Sequence, residues 1–245
     1  MPGAIRLVVG LGNPGKEYER TRHNAGFWLV ERFAAQSGTV LRKDTKFQAL
    51  VGRHGANGAW LVLPQSFMNS SGRPVQMIAG FFKIAAPEIL VVHDEVDLPP
   101  GTVKLKQGGG IAGHNGLKDI SQRLASHDYW RLRIGVGHPG DKDAVADYVL
   151  GKPSAEDKAA IDEAVTRAIE VLPLCISGDL QGAMQKLHTA EKEKPVEKKP
   201  EPKVQPKAEH KPEPRPEPKP EPKPEAPKGG LKGLLGSLLH PGRKK

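Results

Sequence analysis

The sequence is short of cysteine, of long apolar runs and of the spacings that metal and serine chemistry need, and each shortage excludes something. Cys175 is the single cysteine among 245 residues, so neither an intrachain disulfide nor a cysteine-based metal cluster is possible, and a reducing compartment fits. No apolar run approaches the roughly 18 residues of a membrane span, and the first one, in "MPGAIRLVVG", meets glycine too soon to be a signal-peptide core. A soluble, cytoplasmic chain is the expectation. The histidines at 23, 93, 114 and 138 lack zincin spacing, so no metal is expected. Ser66, Ser70 and Ser71 do not sit in a G-x-S-x-G elbow, which argues against a serine nucleophile.

What is present divides sharply near residue 190. The formal net charge is +9 with a pI near 9.6, a balance that invites a polyanionic partner. Residues 1–190 hold 22 Lys/Arg against 19 Asp/Glu, whereas the remainder holds 15 against 9. The first part is only mildly basic, so a phosphate site there has to be argued residue by residue. Residues 191–230 are a Pro-Glu-Pro-Lys repeat without core-forming side chains, expected to be a solvated, disordered linker. Residues 231–245 are different again. Leu231, Leu234, Leu235, Leu238 and Leu239 recur at helical spacing beside basic residues, a pattern open to two readings: a weak tether to a surface or ribosome, or an inert extension.

Within residues 1–190 strands are predicted at 5–10, 47–53, 60–64, 89–93, 103–106 and 132–136. Helices are predicted at 25–36, 74–82, 117–125, 143–149, 155–176 and 182–188. This alternation predicts a single-domain, three-layer α/β sandwich with a central mixed sheet flanked by helices. The stretch "VVGLGNPGKEY" places Gly10, Gly12 and Gly15 in a G-x-G-x-x-G pattern after the first strand. A dinucleotide turn requires the helix to begin inside the motif and an acid about 20 residues on. Here the polar run "KEYERTRHN" intervenes, and Glu31 falls inside the predicted first helix. The pattern reads better as a loop at the carboxyl end of a strand, where open α/β sheets place their ligands.

Five blocks, "GLGNPGKEYERTRHNAGF", "PQSFMNSSG", "VHDEVDLPPG", "GGGIAGHNGLKDI" and "RLRIGVGHPGDK", occur in that order. Together they closely resemble bacterial peptidyl-tRNA hydrolase over about residues 5–190. The resemblance implies hydrolysis of the ester between a peptide and the 3′ ribose of tRNA, without a cofactor, by a monomer whose partner is peptidyl-tRNA. It implies His23 as catalytic base and Asp94 as the acid that orients it. Asn13, Asn69 and Asn115 match cleft asparagines, and His114, Tyr18 and Met68 match positions at or near the bound substrate. Lys106 and Arg133 match a tRNA-phosphate clamp. Taken alone, His23 reads as a surface cap, Asn115 is open to a reading as a helix cap, Tyr18 and Met68 read equally as packing, and Glu95 and Asp97 read as ordinary turn acids. Ile111 and Ala112 depart from the more polar or glycine pair common in the family, so no substrate contact is assigned to them.

Overall fold

In the computed structural model, which describes residues 3–55 and 58–192, the first apolar run forms β1 (Leu7–Gly10), buried along its whole length. A strand without polar alternation belongs at the centre of a parallel sheet covered on both faces, and β1 lies there. The other strands are β2 (Arg42–Asp44), β3 (Ala49–His54), β4 (Ala59–Pro64), β5 (Ile89–Glu95), β6 (Val103–Gln107) and β7 (Trp130–Gly135). The sheet order is β2-β3-β4-β1-β5-β7-β6. The central β4, β1, β5 and β7 are parallel, while β3 and β6 join their neighbours antiparallel. The mixed sheet and its helical layers agree with the fold read from the sequence.

Helices α1 (Ala25–Gln36), α5 (Ala155–Ser177) and α6 (Leu180–Lys192) cover one face, with Leu29, Phe33, Val165 and Leu172 in the core against Val8, Leu61 and Leu90. Helices α2 (Gly72–Phe82) and α3 (Asn115–Leu124) cover the other, where Val75, Ile78, Leu117 and Ile120 meet Leu7, Val9 and Val91. The short α4 (Val145–Leu150) lies near the carboxyl ends of the strands, with Tyr148 accepting a bond from Arg22.

Several boundaries differ from the sequence expectation. Strand β2 was not anticipated: its three residues, Arg-Lys-Asp, are largely exposed on the sheet edge, where charge rather than apolar alternation marks the strand. Strand β5 continues two residues past the predicted end at His93, through Asp94 and Glu95, all three being buried. Glu95 is accordingly not an exposed turn acid. Helix α6 starts earlier and ends later than predicted, passing the expected boundary at 190. The remainder of the linker, 193–230, and the Leu-rich segment 231–245 lie outside the described residues.

The glycines set where α1 sits. A Cβ on Gly26 would stand 2.3 Å from the Val92 carbonyl oxygen, and one on Gly10 2.5 Å from that of Gly26. Backbone therefore lies on backbone. Leu11 N–H donates to Val92 O at 2.9 Å and Phe27 N–H to Leu11 O at 3.1 Å. This contact, not a pyrophosphate, accounts for glycine at position 10, and it lays the start of α1 against the ends of β1 and β5. Gly26→Ala should therefore destabilise the fold. Alanine's helix preference returns at most about 1 kcal/mol, whereas overpacking into backbone atoms costs typically ~1–3 kcal/mol or more. Urea unfolding should show a lower midpoint with an unchanged slope; an equal or higher midpoint would contradict the packing argument.

Candidate active site

The carboxyl ends of the parallel strands gather the polar residues that the sequence singled out. Asp94, on β5, is 3% exposed, and two imidazoles converge on its carboxylate. His23, in the 3-10 turn preceding α1, presents Nδ1 at 2.9 and 3.0 Å from the two carboxylate oxygens. His114 presents Nε2 at 3.0 Å from Oδ1. The backbone fixes the protons. The Gly116 and Leu117 amides donate to His114 Nδ1, at 3.1 and 3.4 Å, so that nitrogen is an acceptor and Nε2–H donates to Asp94. A carboxylate only accepts, so His23 likewise donates from Nδ1. Its Nε2 is left as the nitrogen with a lone pair to offer.

The cap of α3 is thus the His114 side chain, not Asn115. One residue caps the helix and pairs with Asp94, a connection to the carboxylate that its position in "GHNG" does not reveal. The rings of His23 and His114 are 4.9 Å apart. His93, fully buried beneath them, bonds the Asp94 carbonyl oxygen through Nδ1 at 2.7 Å and packs edge-on against His114. Its Nε2 has no hydrogen-bond partner among the described residues.

These contacts set the protonation equilibria. Burial disfavours the charged form of His23, but the charge and hydrogen bond of Asp94 outweigh it and raise the imidazole's pKa above its ordinary value. Burial alone would raise the Asp94 pKa; the two flanking imidazoles hold the carboxyl well below the usual carboxylate range. His93 is pushed down to about 3, chiefly by burial and next by His114, and so is neutral. Ligand atoms of His23, Asp94 and His114 lie within 4.8 Å of one another, near enough to hold a cation. Both imidazole nitrogens that would face it carry the protons given to Asp94, so the local bonding fits a hydrogen-bonded triad better than a metal site.

Asn13, in the loop after β1, is 6% exposed and held from two sides. Its Oδ1 accepts the Met68 amide at 2.7 Å, and its backbone exchanges two 2.9 Å bonds with the Asn24 side chain. That orientation leaves its NH₂ as the donor available to a ligand. Asn24, buried and essential to this geometry, was not singled out from sequence; its place in "TRHN" beside His23 was the available signal. The Met68 side chain lies in the core, where a Cβ on Gly116 would approach its sulfur to 2.6 Å. Asn69 is exposed on the adjacent 3-10 turn. Tyr18 is half-buried and meets the exposed ring of Phe67 edge-on at 6.2 Å. Phe67 also escaped the sequence reading.

A cleft of about 600 Å³ opens beside His23 and Asp94, bounded by Ala112, Asn115, His138, Lys142 and Val149. Ala112, left-handed at φ 45°, lines it, while Ile111 packs on the core beneath. Next to this cleft, Lys104, Lys106, Arg131 and Arg133 share one face of the β6–β7 pair, since Lys104 faces Arg133 and Lys106 faces Arg131. Arg131 is buried, and its guanidinium holds the carbonyl oxygens of Gly109 and Gly110. The Arg133 Nε donates to the buried Glu95 at 2.8 Å. Lys106 and Lys104 are exposed. Sequence reading found Lys106 and Arg133 but not Lys104, although the alternation in "VKLKQ" places both lysines on one face.

The family model for peptidyl-tRNA hydrolase matches residues 7–196. A peptidyl-tRNA hydrolase of Thiobacillus denitrificans is 54% identical over 184 residues, covering 75% of this chain and 90% of the relative. One of Nitrosospira multiformis is 52% identical over 190 residues, covering 77% of this chain and all of the relative. The crystal structure of peptidyl-tRNA hydrolase from Acinetobacter baumannii superposes with a TM-score of 0.72 at 45% identity, covering 75% of this chain and 94% of that one.

The histidine equilibria can be read by NMR titration of the imidazoles. His23 should titrate above 6.5, and Asp94→Asn should lower its midpoint because the raising charge is gone. His93 should stay neutral through the whole range above about pH 4, its midpoint lying near 3. A His23 midpoint that is unchanged in Asp94→Asn would break the assigned coupling.

Proposed function

Because this chain belongs to the peptidyl-tRNA hydrolase family and hydrolyses peptidyl-tRNA, we propose that His23 is its general base and Asp94 the residue that orients and charges it. The observation that carries this reading is the bonding of His23: Nδ1–H is committed to a buried carboxylate, so Nε2 is free to accept a proton. Water attacking the ester carbonyl gives that proton to Nε2. The imidazolium so formed is stabilised by the adjacent carboxylate, and it returns the proton to the departing ribose oxygen. His114 acts through Asp94 as a positioning residue, holding the carboxylate at the height of His23.

The developing oxyanion needs donors that do not compete for the proton. Asn13 NH₂, locked by Met68 and Asn24, has that character, and we assign Asn115 and Asn69 to the peptide or the terminal nucleotide. We assign the Tyr18–Phe67 ring pair to an apolar contact with the substrate. Lys106, with Lys104 beside it, is the exposed cation suited to a tRNA phosphate; Arg133, spoken for by Glu95, is a support of that strip. We assign the extension beyond Lys192 no part in hydrolysis, since the Nitrosospira relative matches along its full length without needing more than 77% of this chain.

On N-acylated aminoacyl-tRNA, His23→Ala should lose about a hundredfold or more in kcat while keeping its fold, because general base catalysis is worth ~10²–10⁴-fold. Near-normal turnover of the folded variant would remove His23 from the chemistry. Rates should rise with pH through the raised His23 pKa, putting the acid limb of kcat/KM above 6.5.

Lys106→Gln and Arg133→Gln should separate. The first should raise KM for intact substrate and flatten its salt dependence without moving Tm. The second should also lower Tm, because it leaves the Glu95 carboxylate buried without its cation. Equal thermal stability of the two variants would show that the Glu95–Arg133 pair is not structural.

A further inference from the structure

The positive charge of the domain is not spread evenly. Between residues 40 and 83 there are six Lys/Arg and one Asp/Glu. The single acid, Asp44, is half-buried and accepts the Phe47 amide. The nearby Glu88 is taken up by Arg6. Strand register puts Arg42 opposite Val51 and Arg53 opposite Trp60 on one face of the sheet, the face that α2 also packs on.

That cationic border encloses an aromatic strip. Trp60 stacks on Phe82 at 4.2 Å, and Phe81 meets Phe82 at 4.9 Å and Phe47 at 5.5 Å. Phe81 is 57% exposed at the end of α2, and the Lys46 ammonium stands 3.7 Å from its ring centroid. Arg53 lies 5.4 Å from the Trp60 ring. An exposed ring carrying a cation on its face, inside a border of cations with no free carboxylate among those named, is the arrangement that takes a stacked base and its flanking phosphates. An apolar protein segment would match the rings but leave the charges unanswered.

The strip also approaches the loop that carries Asn13. Gln65 bounds one cavity together with Asn13 and another together with Lys43, Thr45 and Gln48, and its amide donates to Gln48 O at 2.8 Å. Phe47 and Lys46 belong to the turn that Gln48 closes.

We infer that the face formed by Phe81, Lys46, Arg42 and Arg53 is a second contact for the substrate tRNA, on the opposite flank of the sheet from Lys106, taking an unpaired base on the Phe81 ring and its phosphates on the surrounding cations. The inference rests on the peptidyl-tRNA reading. In the free protein Lys46 occupies the ring face; a base that stacks there displaces the ammonium onto the neighbouring phosphate.

The test compares binding of deacylated tRNA, by fluorescence anisotropy across a salt series, with hydrolysis of N-acylated aminoacyl-tRNA and of a minimal N-acyl-aminoacyl nucleotide ester. Phe81→Ala should weaken tRNA binding about fivefold or more, the lower end of what one stacked base contributes. It should raise KM for the intact substrate and leave the minimal ester unchanged. Phe81→Trp should bind as well as wild type and Phe81→Leu as poorly as Phe81→Ala. Lys46→Gln, a substitution at an exposed side chain, should lower the salt slope by about 0.7–0.9, the value of one phosphate contact.

Unchanged tRNA affinity in both Phe81→Ala and Lys46→Gln would overturn the inference. So would wild-type tRNA affinity in Phe81→Leu, which would show that no base stacks on the ring. Loss of the minimal-ester reaction in wild type would instead strike the hydrolase reading itself.

Discussion

A buried carboxylate is the constraint around which this molecule is arranged. Taking the Asp94 charge out of water costs several kcal/mol unless partners restore what water supplied, and the strand that carries it has only neighbouring strands to offer. The partners come from two helices on opposite faces of the sheet: His23 from the turn that opens α1, and His114 from the cap of α3. Each helix must therefore start beside the end of β5. For α1 this is possible only because Gly10 and Gly26 let backbone lie against backbone. For α3 the capping histidine does it, one ring nitrogen spent on the helix amides and the other on the carboxylate.

Asp94 and Glu95 then divide the work by the simplest property of a strand, that neighbouring side chains point to opposite faces. Asp94 organises the histidines. Glu95, one residue on, turns away to hold Arg133 at 2.8 Å on the face that bears Lys104 and Lys106. One peptide unit thus separates the proposed chemistry from the cationic strip beside it. The distance between ester and phosphate is built into a single strand and does not depend on how two loops pack.

Much of this was legible in the sequence, and the misses have physical reasons. Apolar runs marked β1, β4 and β5, and the apolar stripe of Phe27, Leu29, Val30 and Phe33 marked α1, because burial selects those residues. The predicted strand stops at His93 because the acids at 94 and 95 usually are solvated. Here they are buried, and long-range partners at positions 23, 114 and 133 account for it, which no local window contains. Strand β2 was missed for the converse reason. An edge strand of Arg-Lys-Asp buries almost nothing, so it leaves no apolar trace, and its charges guard an unpaired edge. Asn24 and Phe67 were passed over because their significance lies in what they touch: the backbone of Asn13 and the ring of Tyr18.

Charge is also distributed with a consistent logic. Cations stand on both flanks of the sheet, on β6–β7 and on β2–β3, and Lys142 lines the cleft, but the side chains that touch His23 are the Asp94 carboxylate and the His114 ring. A cation next to His23 would stabilise an oxyanion, but it would also oppose the positive charge the imidazole must accept from water, lowering the pKa that Asp94 raises. Asparagine donors avoid this conflict, since an amide dipole can be aimed at one developing charge without imposing a net charge on the other. The cations on the flanks let a polyanion be held by shape and phosphate position, while the base at the centre keeps the proton affinity that its carboxylate partner sets.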